Sequence, residues 1–347
     1  MQIGGPTGAF IVIVYGVIQR YGYDGLLLAT LMAGAIPIAA ALLRAGRLIA
    51  LVPEAGIEGF TIGIAIIIAA SQLRDLLGLS IAKVPADFVE KISALWAARH
   101  TANPSALLIG LSAIVLIVTF RRIAPRLPGL IVAVALVSAA PLLWKLPVDT
   151  IVSRYGVLPS GLPIPSLPPI SFVLVRELLP SALAIAFLAG VESLLSAIVA
   201  DRMIGSAHRS NAELLAQGAA NIGSSLFGGL PATGAIARTA TNVRAGGKTP
   251  VAGIVHAAVI LLVIVYAAPL AGYLAMPALA GLLMVTAWNM SEPHRWRARR
   301  QAAAPDKFLL ILTLLLTVFV DLTAAIAVGS AVGLAQRLSR RRVADQA

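Results

Sequence analysis

The chain has 347 residues, of which 59% are hydrophobic and only 12% are charged, against roughly 25% charged in an ordinary soluble domain. With a mean hydropathy of +0.91, this composition excludes a soluble globular enzyme and a disordered protein, and leaves a polytopic membrane protein. The 5% aromatic content and the lack of alternating polar and apolar strands argue against a β-barrel, so the spanning elements are helices.

Nearly uncharged windows, each a candidate for a span of about 20 residues, fall at 1–19, 25–43, 59–73, 101–120, 127–144, 178–200, 214–237, 249–291, 308–320 and 322–336. Residues 1–19 lack the basic start of a cleavable signal. Two windows divide. Gly228-Gly229-Leu230-Pro231 stops a helix inside 214–237, and Pro269, Gly272 and Pro277 break 249–291. Twelve membrane segments result, the last two meeting at Asp321. Residues 85–100 differ: Asp87, Glu90, Lys91 and Arg99 interleave with Phe88, Ile92, Leu95 and Trp96 at helical spacing, which predicts an amphipathic interfacial helix. The proline-dense run Leu158–Pro169 predicts an extended linker.

The net charge of +12 is a topology signal rather than a nucleic-acid signal. With Arg340-Arg341-Arg342 placed in the cytoplasm, alternation puts Arg44/Arg47, Arg121/Arg122/Arg126, Arg202/Arg209, Arg244/Lys248 and the Arg295–Arg300 run on the same side. Most of the basic residues then lie inside, as the positive-inside rule requires. Trp96, Trp144, Trp288 and Trp296 fit interfacial belts.

Two segments repeat. Gly5-Pro6-Thr7-Gly8-Ala9-Phe10 and Gly229-Leu230-Pro231-Ala232-Thr233-Gly234-Ala235-Ile236 each place Gly and Pro before Thr-Gly-Ala and then enter a helix. Short Pro/Gly-interrupted helices at corresponding places in two halves point to a transporter site. Two helix starts facing each other at the midplane offer free N–H groups and positive dipole ends to an anion. The plain alternative is two ordinary helix starts with Pro at the entry. Counted from Glu177, the second half has seven segments with the Thr-Gly-Ala helix third; the first half has five, with it first. An intact repeat places two more segments before residue 1, so the expectation is a chain without its first two helices, through truncation or a misplaced start.

At this point longer blocks resemble a known family. Glu58–Leu73 looks like the fifth helix of the SulP sulfate permeases. Gly190–Ser196, Ser210–Leu214, Gln217-Gly218, Phe227–Thr239 and Gly247–Gly253 resemble helices eight to eleven. The resemblance covers essentially the whole chain. It implies an all-α, seven-plus-seven inverted-repeat transporter fold, with helices one and two and the usual cytoplasmic STAS domain absent. The implied organisation is a core domain in 1–50 and 177–268, a gate domain in 51–157 and 269–337, an external linker at 158–176 and a cytoplasmic tail at 338–347. The resemblance also implies a homodimer.

Glu192 lies in the otherwise uncharged window 178–200, where a carboxylate is costly and reads as functional. Ser196 lies four residues on, on the same helix face. By resemblance this pair matches the family's coupling-ion position. A buried carboxyl can carry a proton, whereas a carboxylate with a hydroxyl and backbone carbonyls suits sodium; both stay open. Thr7, Gly8, Ala9 and Phe10 supply one helix start. Gly234, Ala235 and Ile236 supply backbone N–H groups opposite, followed by Ala237 and Arg238. Arg238 either adds positive potential beside the anion or snorkels to the interface. His256 and His208 are weaker candidates for a proton relay. The absence of Cys removes thiolate metal sites and thiol nucleophiles. No Walker motif, triad or metal cluster stands out, so no catalytic residue, cofactor or nucleic-acid partner is expected.

The expectation is therefore a secondary active transporter of small oxyanions, sulfate or bicarbonate in class, coupled to H+ or Na+ and working by elevator-type alternating access. It would sit in a bacterial inner membrane among lipids with its C-terminus in the cytoplasm. The alternatives are an organic-anion (C4-dicarboxylate) or nucleobase transporter of the same fold, and a non-transporting membrane fragment or scaffold.

Overall fold

Glycine divides the first long helix. In the computed structural model, which describes residues 2–44, 54–81, 84–85, 87–124, 128–320 and 322–345, helix α1 (Ile11–Leu42) runs through Gly22, whose φ of 72° breaks it into two stretches. Only glycine takes that backbone region without strain. These stretches are the windows 1–19 and 25–43 of the sequence. The remaining elements follow the other windows: α2 (Glu54–Leu76), the short amphipathic α3 (Phe88–Ala97), α4 (Pro104–Ile123), α5 (Gly129–Trp144), a one-turn α6 (Ile151–Tyr155), α7 (Phe172–Ile204), α8 (Ser210–Leu226), α9 (Ile236–Arg244), α10 (Val251–Ala271), α11 (Met276–Met290), α12 (Trp296–Gln301), α13 (Ala304–Phe319) and α14 (Leu322–Asp345). Both breaks fall where glycine and proline predict them, between α8 and α9 and between α10 and α11. Among the described residues, five helical stretches are long and apolar enough to cross a membrane by length and composition: Gly8–Leu42, Glu54–Leu76, Pro104–Ile123, Phe172–Asp201 and Val251–Ala271. Residues 158–169 carry no helix or strand. Arg47, Arg126 and Asp321, the side chains of Arg202 and of the Arg337–Arg342 tail, and the 50/51 boundary lie outside the described residues.

The chain forms two compact units. The first comprises Met1–Phe60, Leu162–Leu261 and Ala302–Ala347. Its helices approach closely through glycine. A Cβ on Gly34 of α1 would meet the Gly218 carbonyl oxygen at 2.7 Å, and one on Gly218 of α8 would meet the Gly34 carbonyl oxygen at 2.5 Å. Ala41, Leu194 and Leu214 close the same corner among α1, α7 and α8. Residues 302–347 cluster here, whereas the family resemblance places 269–337 together in the gate. Small residues account for the difference. A Cβ on Gly59 would meet the Leu310 carbonyl oxygen at 2.1 Å, and one on Gly329 would meet Thr313 Cγ2 at 2.4 Å, so the start of α2 lies against the backbone of α13, and α14 packs on the Thr313 side chain of that helix.

The second unit comprises Thr61–Gly161 and Leu262–Gln301. Its core is built from Ile109, Ala113 and Ile117 of α4, Ala133, Val134 and Val137 of α5, and Ala278 and Val285 of α11. The amphipathic helix starts at Phe88 rather than Pro85, because the Asp87 side chain caps it by accepting from the Val89 and Glu90 N–H groups. Trp96 is 69% exposed and carries the Arg99 guanidinium 4.6 Å from its ring centroid. Lys91 departs from the expected charged face. It is 3% exposed and donates from Nζ to Ser71 Oγ on α2 at 3.0 Å. Burial holds its ammonium below the ordinary lysine value, partly offset by Asp87.

That shift fixes a pH dependence. A lysine depressed in the fold binds fewer protons there than in the unfolded chain. Its penalty is therefore full below the folded value and fades as pH rises towards the ordinary value of 10.5. Lys91→Met leaves Ser71 satisfied, because its hydroxyl already donates to the Ile67 carbonyl at 2.8 Å. Melting curves in detergent from neutral to alkaline pH should show a stabilising rise in the parent that is flattened in Lys91→Met. Parallel profiles would refute a titrating buried ammonium.

Candidate functional site

Two short strands join the repeated motifs. β1 (Gly4–Gly5) pairs antiparallel with β2 (Thr233–Gly234), Gly4 opposite Gly234 and Gly5 opposite Thr233. Each strand runs directly into a helix start. After β1 comes the 3-10 turn Gly8–Phe10 and then α1; after β2 comes α9. The pairing thus brings both Thr-Gly-Ala motifs together within the first unit. The first N–H groups of a helix have no intrahelical acceptor, so two such ends meet here.

The N–H groups are not all available. Gly234 N donates to Ser193 Oγ at 2.9 Å and Ala235 N donates to the Ile3 carbonyl at 3.0 Å. Strand pairing and its side-chain brace therefore consume two of the three donors expected from Gly234, Ala235 and Ile236. In α9 the Thr239 N–H closes the first turn onto the Ala235 carbonyl at 2.9 Å, which leaves the Ile236, Ala237 and Arg238 N–H groups as the open end. On the other side Phe10 N donates to the Thr7 carbonyl at 3.2 Å, leaving Gly8 and Ala9 as the first donors. Phe10 itself is buried, with 2% exposure.

The charged pair lies across this junction. Glu192, on α7, accepts at Oε2 from the Thr7 hydroxyl at 3.1 Å. Arg238 turns inward onto the opposite motif, donating from Nη2 to the Pro6 carbonyl at 2.7 Å and from Nη1 to the Gly4 carbonyl at 3.4 Å. A Cβ at Gly5, whose φ is +140°, would lie 2.8 Å from Arg238 Nη1, so glycine there makes room for the guanidinium. Ser196 is fully buried and donates to Thr239 Oγ1 at 2.9 Å. Thr239 Oγ1 also accepts from the Ile3 N–H at 3.0 Å, so Ser196 braces α7 against α9 and the N-terminal strand.

A polar web that the sequence pattern did not single out supports the junction. Ser193 Oγ donates to Gln217 Oε1 at 2.7 Å and lies 3.2 Å from Thr233 Oγ1, which donates to the Ala189 carbonyl at 2.9 Å. Asn221 holds both polar groups of Ala232, accepting from its N–H at 2.8 Å and donating to its carbonyl at 3.1 Å. Gln2 reaches the Ser193 carbonyl at 3.0 Å. Polar side chains within apolar windows were the available signal. A buried network of this kind holds its geometry because every lost bond leaves a buried polar group unsatisfied.

The two histidines lie elsewhere. His208 sits in the turn between α7 and α8, with Nδ1 2.7 Å from Asp201 Oδ2 and Nε2 3.1 Å from Ser210 Oγ. Its own N–H and the Ser206 hydroxyl also bond Asp201, so the cluster is a brace of that turn. His256 lies on α10 and makes no hydrogen bond among the described residues. No group of three or more His, Cys, Asp or Glu residues able to hold a metal occurs among the described residues.

The fold is that of an inverted-repeat membrane transporter domain. It superposes on the transmembrane domain of a cyanobacterial bicarbonate transporter, BicA, with a TM-score of 0.83 and 28% identity, covering 94% of this chain and 84% of that one. It shares its fold with the murine anion transporter Slc26a9, with a TM-score of 0.84 at 19% identity, over 98% of this chain and 60% of the other. Residues 1–332 match the sulfate permease family, and the chain belongs to that family. Among its relatives, the putative sulfate transporter YvdB of Bacillus subtilis is 41% identical over 330 residues, which is 94% of this chain and 62% of the relative. The bicarbonate transporter BicA of Synechocystis is 31% identical over 338 residues, 94% of this chain and 59% of its own length. The chain thus spans about three fifths of these relatives.

Proposed function

We propose that this protein is the membrane part of a secondary active transporter of small inorganic oxyanions, sulfate or bicarbonate in class. The anion is held between the helix starts at Gly8–Phe10 and Ile236–Arg238, with Arg238 supplying positive potential. The coupling ion, H+ or Na+, sits at Glu192, where the carboxylate and the Thr7 hydroxyl supply oxygens. The first unit carries the site, and transport follows an elevator-type movement of that unit against the second. The protein lies in a bacterial inner membrane with its C-terminus in the cytoplasm, as a homodimer. The carrying observation is the β1–β2 pairing, which brings two unsatisfied helix N-termini, a guanidinium and a carboxylate to one place. The names of the relatives support the substrate class.

Arg238→Ala tests the anion site. Hydrogen bonds to charged groups contribute roughly 1.5–3 kcal/mol, so the transport constant for anion uptake by reconstituted protein should rise about tenfold or more. An unchanged constant would show that Arg238 only anchors the Gly4–Pro6 segment.

A further inference from the structure

The second unit holds a cavity of about 470 Å³ where the C-terminal end of α2 meets the N-terminal ends of α4 and α11. Its volume lies in the range of small-molecule pockets, roughly 300–1,000 Å³. Among the described residues, four charged side chains line it, Arg74, Asp75, Asp149 and Arg154, and they are unequally engaged. Arg154 forks between the carboxylates, 2.6 Å from Asp75 Oδ1 and 2.8 Å from Asp149 Oδ2. Burial alone would lower its pKa, but hydrogen bonds to the two carboxylates outweigh burial and raise it. Arg74 makes no ion pair among the described residues, and its Nε is buried without a hydrogen-bond partner. A buried guanidinium nitrogen without a partner is costly.

The backbone adds to the same polarity. α4 opens at Pro104, with Asn103 capping Ser105 N at 2.9 Å. α11 opens at Met276 without any side-chain cap. Asn103, Met276 and Pro277 all line the cavity, so the positive ends of a 20-residue and a 15-residue helix border it. The remaining wall is partly apolar, through Leu79 and Ala106.

We propose that this cavity is a second ligand site that takes a small organic monocarboxylate. The carboxylate pairs with the guanidinium of Arg74 at the two helix starts, and a compact apolar body lies against Leu79, Ala106 and Met276. A planar carboxylate matches the fork of an arginine. Asp75 and Asp149 in the same wall oppose a dianion, which sets this site apart from an oxyanion site between the half-helices. The inference stands independently of the transport reading.

Equilibrium dialysis of the full chain in detergent with radiolabelled benzoate tests it. The expected result is saturable binding that excess sulfate does not displace, weakened at least tenfold by Arg74→Gln and unaltered by Arg238→Gln. Undiminished binding by Arg74→Gln overturns the proposal, as does absence of saturable binding to the parent. Loss of binding in Arg238→Gln alone would assign benzoate to the half-helix site and equally overturn it. Should Arg74→Gln not fold, phenylglyoxal labelling of the unaltered protein, followed by peptide mass spectrometry, decides: benzoate slows modification of Arg74 if the site exists and leaves its rate unchanged if it does not.

Discussion

Glu192→Gln is expected to abolish coupled uptake while leaving anion binding measurable. The substitution is nearly isosteric, and its amide oxygen can still accept the Thr7 hydroxyl that Glu192 holds at 3.1 Å. The bond between α7 and the first helix start therefore survives. What disappears is the negative charge and the capacity to carry a proton. Glu192 is the sole acidic residue of the 178–200 window, and the groups described around it are the Thr7 hydroxyl and the Arg238 guanidinium, neither of which can take over a carboxylate's role. Stability should change little, because relief of the carboxylate's desolvation is offset by loss of the charge that opposes Arg238. Uptake into proteoliposomes under an imposed proton or sodium gradient should fall at least tenfold. Unchanged stimulation by both gradients would remove Glu192 from the coupling mechanism. Varying pH at fixed sodium, and sodium at fixed pH, identifies which gradient the parent uses.

Much of this architecture is readable in the sequence, for reasons that particular residues make clear. Gly228 to Pro231 and the Pro269–Pro277 stretch break helices because proline lacks a donor and glycine lacks helix preference, and the chain breaks there. The doubled Thr-Gly-Ala motif marks both helix starts. Two-residue strands carry no periodicity, however, so the β1–β2 pairing was not legible, nor was the consequence that Gly234 and Ala235 spend their N–H groups on it. Ser196 shares a helix face with Glu192, as its spacing requires, but the hydroxyl of Thr239 claims it, and a contact so distant in sequence leaves no local trace. Lys91 did leave one: it lies three residues after Phe88 and four before Leu95, on their face of the helix, but its charge grouped it with Asp87, Glu90 and Arg99. Glycine contacts likewise carry no hydrophobic signal, which is why the grouping of 302–347 with the first unit appears only in three dimensions.

Those glycine contacts carry the largest stability effect expected in the molecule. Gly218 and Gly34 face each other so closely that a Cβ on either would lie under 3 Å from the other's carbonyl oxygen. Backbone oxygens cannot rotate aside as a side chain can, so α1 and α8 must separate to admit any side chain. Overpacking a core costs roughly 1–3 kcal/mol, and Gly218→Leu, clashing with both backbone and Ile38, should reach or exceed the upper end. Separation also reaches the site. α8 carries Gln217 and Asn221, and Asn221 grips both polar groups of Ala232 immediately before β2. Shifting that helix pulls on the strand that holds the second helix start, so anion affinity should fall together with the melting temperature. Gly223 on the same helix provides the control, since a Cβ there meets nothing within 4 Å. Gly223→Ala should stabilise by about 0.5–1 kcal/mol through helix preference alone. Thermal unfolding of Gly218→Leu, Gly218→Ala and Gly223→Ala side by side checks both claims: if Gly218→Ala melts as high as Gly223→Ala, the α1–α8 approach is looser than these contacts require, and the site does not depend on it.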